Sequence, residues 1–181
     1  MGYIEEMLAF NKNFVESGQY KEHLTSKFPD KKIAIVTCMD TRLVTLLPAA
    51  LGIRNGDVKI IKNAGGVITN PFDSAMRSIL VAIYELGVNE IMIIGHTNCG
   101  VQGMDAGEML SKMKDRGISE EHINLMQHCG INLNQWLHGF TDTVEAVQQS
   151  VDLVRNHPLM PADVSVSGYI MDSVTGKLET V

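Results

Sequence analysis

Short apolar runs punctuate the chain at intervals that change period between them. Ile33-Ala34-Ile35-Val36 and Ile91-Met92-Ile93-Ile94 are uninterrupted by polar residues, which predicts strands buried on both faces. Val58-Lys59-Ile60-Ile61-Lys62 alternates more and predicts a strand at the sheet edge. Val164 to Met171 predicts a further strand, and Asp172 to Gly176 a hairpin turn into a short piece over Leu178 to Val181. Elsewhere the spacing is helical. Ile4, Met7, Leu8, Phe14 and Val15 predict an amphipathic helix over 3–15, interrupted at Gly18. Leu43 to Leu51 predicts a short helix compromised by Pro48 and closed by Gly52.

The next helix start is read at Asn70-Pro71-Phe72-Asp73, with Asn70 as N-cap, Pro71 in first position and Asp73 in the first turn. Met76, Ile79, Leu80 and Ile83 carry that helix to Gly87, and a strand over Glu90 to Ile94 follows. Residues 104–157 read as mostly helical. Ser119 is the predicted cap of one helix, flanked by an Ile118–Ile123 staple and ended by Gly130. Asp142 and Glu145 resemble a capping box ahead of Val144, Val147, Val151 and Val154, with Pro158 as the stop.

Strands alternating with helices through short loops predict an α/β fold: a mainly parallel central sheet flanked by helices, joined by right-handed crossovers. One domain is expected over 1–181, with a leading helical arm over about 2–17 that lies on its own body or reaches a partner. In such sheets sites form beyond the carboxyl ends of the strands. Cys38 and His96 both fall at those ends, each just after an uninterrupted apolar run.

Composition narrows the function without naming it. The chain has 181 residues, 45% of them apolar and 20% charged, as expected of one soluble globular domain. A net charge of −6 and the lack of a basic run argue against a nucleic-acid partner. Nowhere do about 18 apolar residues run together, so no membrane span is predicted. Met1 to Glu6 are acidic early and lack a secretory apolar stretch. The three cysteines, Cys38, Cys99 and Cys129, are too scattered for a disulfide framework. Reduced thiols in a cytoplasmic protein are expected, which turns attention to metal binding or catalysis. The eleven methionines read as core filler.

Cys38-x-Asp40-x-Arg42 and His96-x-x-Cys99 carry the candidate chemistry. Two thiolates and an imidazole suit zinc, and three protein ligands leave a fourth tetrahedral position for water. Zinc lowers the pKa of such a water from about 15.7 towards about 7. Two thiolates soften that effect relative to three imidazoles, so a rate rising on the alkaline side of neutrality is expected. Asp40 shares a face with Cys38 and can orient the bound water. Arg42 can hold Asp40 by a two-point contact and keep it ionised. Asp40 as a fourth ligand, or a closed structural site completed by Asp40 or Cys129, is the alternative. A Cys38–Cys99 redox pair leaves Asp40, Arg42 and His96 without a role.

Other residues are assigned to ordinary structure. Cys129 with His122 and His128 is read as packing rather than a second metal site. His23, His138 and His157 are expected at the surface, and Trp136 with Leu133, Leu137 and Phe140 in the core or a dimer interface. Gly65-Gly66 lacks the Lys-Ser/Thr of a phosphate loop.

These motifs together resemble the β-class carbonic anhydrases, in their small archaeal and bacterial branch. The likeness extends through Lys62-Asn63-Ala64-Gly65, Gly95-His96-Thr97-Asn98-Cys99-Gly100 and Ser165-Val166-Ser167-Gly168-Tyr169-Ile170. The resemblance implies reversible hydration of CO2 to bicarbonate by zinc-bound hydroxide, with one zinc per chain on Cys38, His96 and Cys99. Asp40 and Arg42 would be the catalytic dyad, and Ala64, Gly65 and Gly100 would border the substrate. It also implies strand order 2-1-3-4, and a homodimer or higher oligomer in which the N-terminal helices embrace the partner. The site would be a narrow apolar cleft near that interface. Thr41 stands where the family usually has Ser. Arg54 falls where plant members carry a substrate-binding Gln, and no bicarbonate-inhibition set is recognisable. Relatives that hydrolyse carbonyl sulfide or carbon disulfide use the same motif. They and a non-catalytic zinc protein are the alternatives.

Overall fold

The computed structural model describes residues 2–181. Strands β1 (Ile33–Cys38), β2 (Val58–Asn63), β3 (Glu90–His96), β4 (Ser165–Met171) and β5 (Leu178–Thr180) form one sheet in the order β2-β1-β3-β4-β5. β1 to β4 are parallel and β5 closes the edge antiparallel to β4, giving the expected α/β sheet. The alternating strand β2 is indeed at an edge, while the uninterrupted runs of β1 and β3 are central. β3 continues two residues beyond Ile94, so Gly95 and His96 belong to the strand itself.

The helices are α1 (Tyr3–Glu16), α2 (Leu43–Ala50), α3 (Ser74–Leu86), α4 (Ala106–Asp115), α5 (Glu120–His128), α6 (Leu133–Leu137) and α7 (Thr143–Arg155). Alternation along the strands divides the core between the two faces of the sheet. Ala34, Val36, Ile91 and Ile93 pack with Met76, Ile79 and Ile83 of α3 and Val147, Val151 and Val154 of α7. Ile35, Ile94 and Met171 face the other way, against Leu43 and Leu47 of α2. Cys38 and Cys99 lie in this second cluster. Gly95 lets α7 approach closely: a Cβ there would stand 2.7 Å from a Val147 methyl.

Local capping departs from the sequence reading at two helix starts. Asp73, not Asn70, caps α3, accepting from the Met76 N–H at 2.7 Å. Asn70 instead turns its oxygen to the Phe72 N–H, two residues on, so it and Pro71 form the turn before the helix. Asp142 caps α7 through the Glu145 N–H at 2.8 Å. The Glu145 carboxylate accepts from Gln149 instead of returning to the cap, so only half the box forms. Ser119 caps α5 as expected, and Gly130 follows it with φ 81°.

Tertiary placement corrects one further expectation, for His157, and narrows another, for Trp136, to its interface alternative. His157 is only 5% exposed, held between the Pro71 carbonyl and the Leu159 N–H. Trp136 is 73% exposed and therefore outside the core, although Leu133 and Leu137 on the same helix are buried. α1 buries none of its residues: Ile4, Met7, Leu8 and Phe10 are all exposed. Of its apolar face only Phe14 is half-buried, with its ring 5.8 Å from that of His23.

Candidate metal centre

Parallel pairing delivers the chemistry to one edge. β1 ends at Cys38 and its neighbour β3 ends at His96. After His96 the chain reverses through Thr97 and Asn98. Asn98 has φ 54°, a left-handed conformation that Asn tolerates better than most residues. This turn returns Cys99 to the sheet edge. The ligand atoms of Cys38, His96 and Cys99 lie within 4.8 Å of one another, and all three residues are buried. The two sulfurs are 3.9 Å apart. Among the described residues this is the only such group of three or more potential ligands, and Cys129 lies exposed elsewhere.

Hydrogen bonding sets the state of the imidazole. His96 Nδ1 is 2.9 Å from the Thr97 carbonyl oxygen. A carbonyl can only accept, so Nδ1 donates and Nε2 presents its lone pair. That Nε2 is buried and has no hydrogen-bond partner. Leaving a buried acceptor unsatisfied costs about 1–3 kcal/mol. A metal ion in contact with Nε2 and the two sulfurs removes that cost, and a carbonyl on the second ring nitrogen is the usual support of a ligating His. The residues therefore fit zinc. Burial is the main influence pushing the Cys99 thiol up, with Cys38 adding to it. The backbone N–H groups of Val101 and Gln102 act on the same sulfur in the opposite direction, favouring thiolate. Coordination deprotonates such a thiol outright.

Asp40 and Arg42 stand beside this cluster. Arg42 Nε donates to Oδ1 of Asp40 at 2.9 Å and Nη2 to Oδ2 at 2.7 Å, a two-point contact. The Arg42 backbone N–H adds a third bond to Oδ1 at 2.9 Å. These bonds hold the Asp40 carboxyl well below the usual carboxylate range. Oδ2 is also 3.8 Å from His96 Nε2, so the carboxylate faces the same point as the three donors.

The carbonic anhydrase family model matches residues 33–178. The chain belongs to the carbonic anhydrase family. The Bacillus subtilis (strain 168) protein YtiB, whose name places it provisionally among the carbonic anhydrases, is 50% identical over 181 residues, covering 100% of this chain and 97% of its own. The crystal structure of β-carbonic anhydrase isoform I from Trichomonas vaginalis superposes with a TM-score of 0.86 at 36% identity, over 99% of this chain and 97% of that one. The class is therefore β. A carbon disulfide hydrolase of Acidithiobacillus thiooxidans is 34% identical over 158 residues, 82% of this chain and 76% of its own.

In this β-carbonic anhydrase a cleft of about 480 Å³ is lined by Asn63, Ala64, Val67, Val101, Met104 and Phe140, among others. Val101 and Phe140 also pack against the cluster containing Cys38 and Cys99, so one apolar wall joins cleft and centre. Ala64 lines the cleft, Gly65 is buried with a Phe140 ring carbon 3.0 Å from where a Cβ would stand, and Gly100 is exposed in the turn after Cys99. Gly66 has φ 68°, and a Cβ there would come 2.6 Å from the Cys38 amide nitrogen and 2.9 Å from the Thr37 carbonyl carbon. Gly66→Ala is therefore expected to lower stability by about 1–3 kcal/mol through backbone strain. Thermal unfolding checks this, and an unchanged Tm would contradict the close approach.

Sequence reasoning missed two contacts of Arg42. Nη1 donates to Ser173 Oγ at 3.1 Å and Nη2 to the Asn98 carbonyl at 2.9 Å. Asn98 could have been suspected from its place between two ligand-type residues. Nothing in the local pattern around Ser173 connects it with a residue 131 positions earlier.

Proposed function

We propose that this chain is a zinc-dependent carbonic anhydrase that hydrates CO2 reversibly to bicarbonate, with Cys38, His96 and Cys99 as ligands and Asp40 and Arg42 as the dyad. The observation carrying this reading is the two-point Asp40–Arg42 pair aimed at a three-donor cluster. A purely structural zinc site has no use for that pair.

Held by Cys38, His96 and Cys99, zinc would supply a Lewis acid able to bring the pKa of a bound water towards about 7. Asp40, kept ionised by Arg42, only accepts hydrogen bonds across the neutral range. It thus fixes the direction of an O–H at the centre and leaves an oxygen lone pair free for the substrate carbon. Arg42 fixes Asp40. The apolar wall of Val101 and Phe140 limits competing water. We assign the Gly100 backbone N–H as a donor to the developing charge on the substrate oxygen. The released proton passes to buffer.

The likeness to a carbon disulfide hydrolase gives the second reading a specific basis. Stopped-flow CO2 hydration, measured before and after zinc removal and re-addition, tests the proposal with carbon disulfide hydrolysis run in parallel. CO2 turnover that disappears and returns with zinc is the expected result. Carbon disulfide turnover without CO2 turnover would overturn it.

The exposed apolar face of α1 is assigned to a second copy of the chain, making the working unit at least a homodimer with α1 as an arm on a single domain. Ile4→Glu with Leu8→Glu is expected to convert the dimer to monomer in sedimentation velocity, and an unaltered sedimentation coefficient would contradict the assignment. No helix among the described residues is long and apolar enough to cross a membrane. Thiols that must stay reduced to bind metal fit a cytoplasmic setting.

A further inference from the structure

The geometry points to Ser173 as the positioning residue that keeps Asp40 paired with Arg42 and off the metal. This rests on the zinc-centre reading and adds a component to it. Asp40 Oδ2 lies 3.8 Å from His96 Nε2, so a small displacement brings the carboxylate within reach of anything the three donors hold. A fourth protein ligand would occupy the position that chemistry requires. Something must therefore restrain Asp40, and Arg42 can do so only if its own guanidinium is fixed.

Arg42 alone is a poor anchor, because its side chain is long and 43% exposed. Asp40 takes one edge of the guanidinium fork, and the rest is held from outside the Asp40 loop. Nη2 reaches the Asn98 carbonyl and Nη1 reaches Ser173 Oγ at 3.1 Å. Arginine only donates, so Ser173 Oγ is the acceptor.

Ser173 is well placed to be rigid. It is 4% exposed, and its N–H donates to Thr97 Oγ1 at 3.0 Å while its Oγ lies 3.1 Å from the same atom. The Thr97 N–H donates to the Met171 carbonyl at 3.0 Å, and the Thr97 carbonyl holds His96 Nδ1. The turn after Ser173 is fastened by Asp172 Oδ1, which accepts from the Val174 and Thr175 N–H groups and the Thr175 hydroxyl. One buried hydroxyl thus links the turn beyond β4, the His96 support and the free edge of Arg42.

The test uses the full chain loaded with cobalt(II) and titrated with thiocyanate, read by visible absorption. Ser173→Ala is expected to retain one cobalt per chain but bind thiocyanate about tenfold or more weakly, the scale of one lost hydrogen bond to a charged group. In the Asp40→Asn background, adding Ser173→Ala should change thiocyanate affinity by less than about twofold, because the competing carboxylate is gone. Unchanged affinity and spectrum in Ser173→Ala would overturn the inference. An equal loss in both backgrounds would also overturn it, since that marks a general structural defect. Failure of the unsubstituted chain to take up cobalt would instead overturn the metal-centre reading, and the Ser173 role with it.

Discussion

Cys99→Ala protein is expected to purify without zinc and to hydrate CO2 no faster than buffer. Among the described residues three donors converge at the centre, so removing one thiolate leaves two, fewer than either structural or catalytic zinc sites use. Removing a mere outer partner of a metal ligand already costs about 10–100-fold in affinity or activity. Losing the ligand itself should exceed that. The side chain is small, so the void alone costs little, and the apoprotein should remain folded. Elemental analysis beside thermal unfolding separates the two effects. Full zinc occupancy in the variant would reject the ligand assignment.

Asp40→Ala is expected to have the opposite metal result and a comparable kinetic one. Asp40 stands outside the donor cluster, so zinc should remain at one per chain. Turnover should fall by about 100-fold or more, the range found when a preorganised hydrogen-bonding group is removed from an active site. The loss should appear in kcat, because the role proposed for Asp40 is to orient the nucleophile and not to bind the substrate. Turnover equal to that of the unsubstituted chain would remove Asp40 from the mechanism.

Much of this arrangement was legible in the sequence because it depends on local periodicity. The uninterrupted runs at β1 and β3 and the alternating run at β2 mark two central strands and an edge. Their ends carry Cys38 and His96, so parallel pairing was enough to bring distant ligand types together. The Asp40–Arg42 contact was also readable, as two residues on one loop with complementary charge.

What escaped the sequence is set by tertiary context. Asn70-Pro71 has every local mark of a helix start, yet the side chain of Asn70 satisfies a nearer N–H and leaves the cap to Asp73. His157 carries no sign that a carbonyl from the segment before α3 waits for its ring. Trp136 is placed by the orientation of a short helix, which five residues of sequence cannot fix. Ser173 matters through a contact across the whole chain. The apolar stripe of α1 was visible, but only the structure shows that none of it is buried within its own chain.

Zinc K-edge X-ray absorption on the purified protein tests the three-donor centre most directly. Ligation by Cys38, His96 and Cys99 predicts two sulfurs at about 2.3 Å and two nitrogen or oxygen neighbours at about 2.0–2.2 Å. A shell with four sulfurs, or with none, would contradict it.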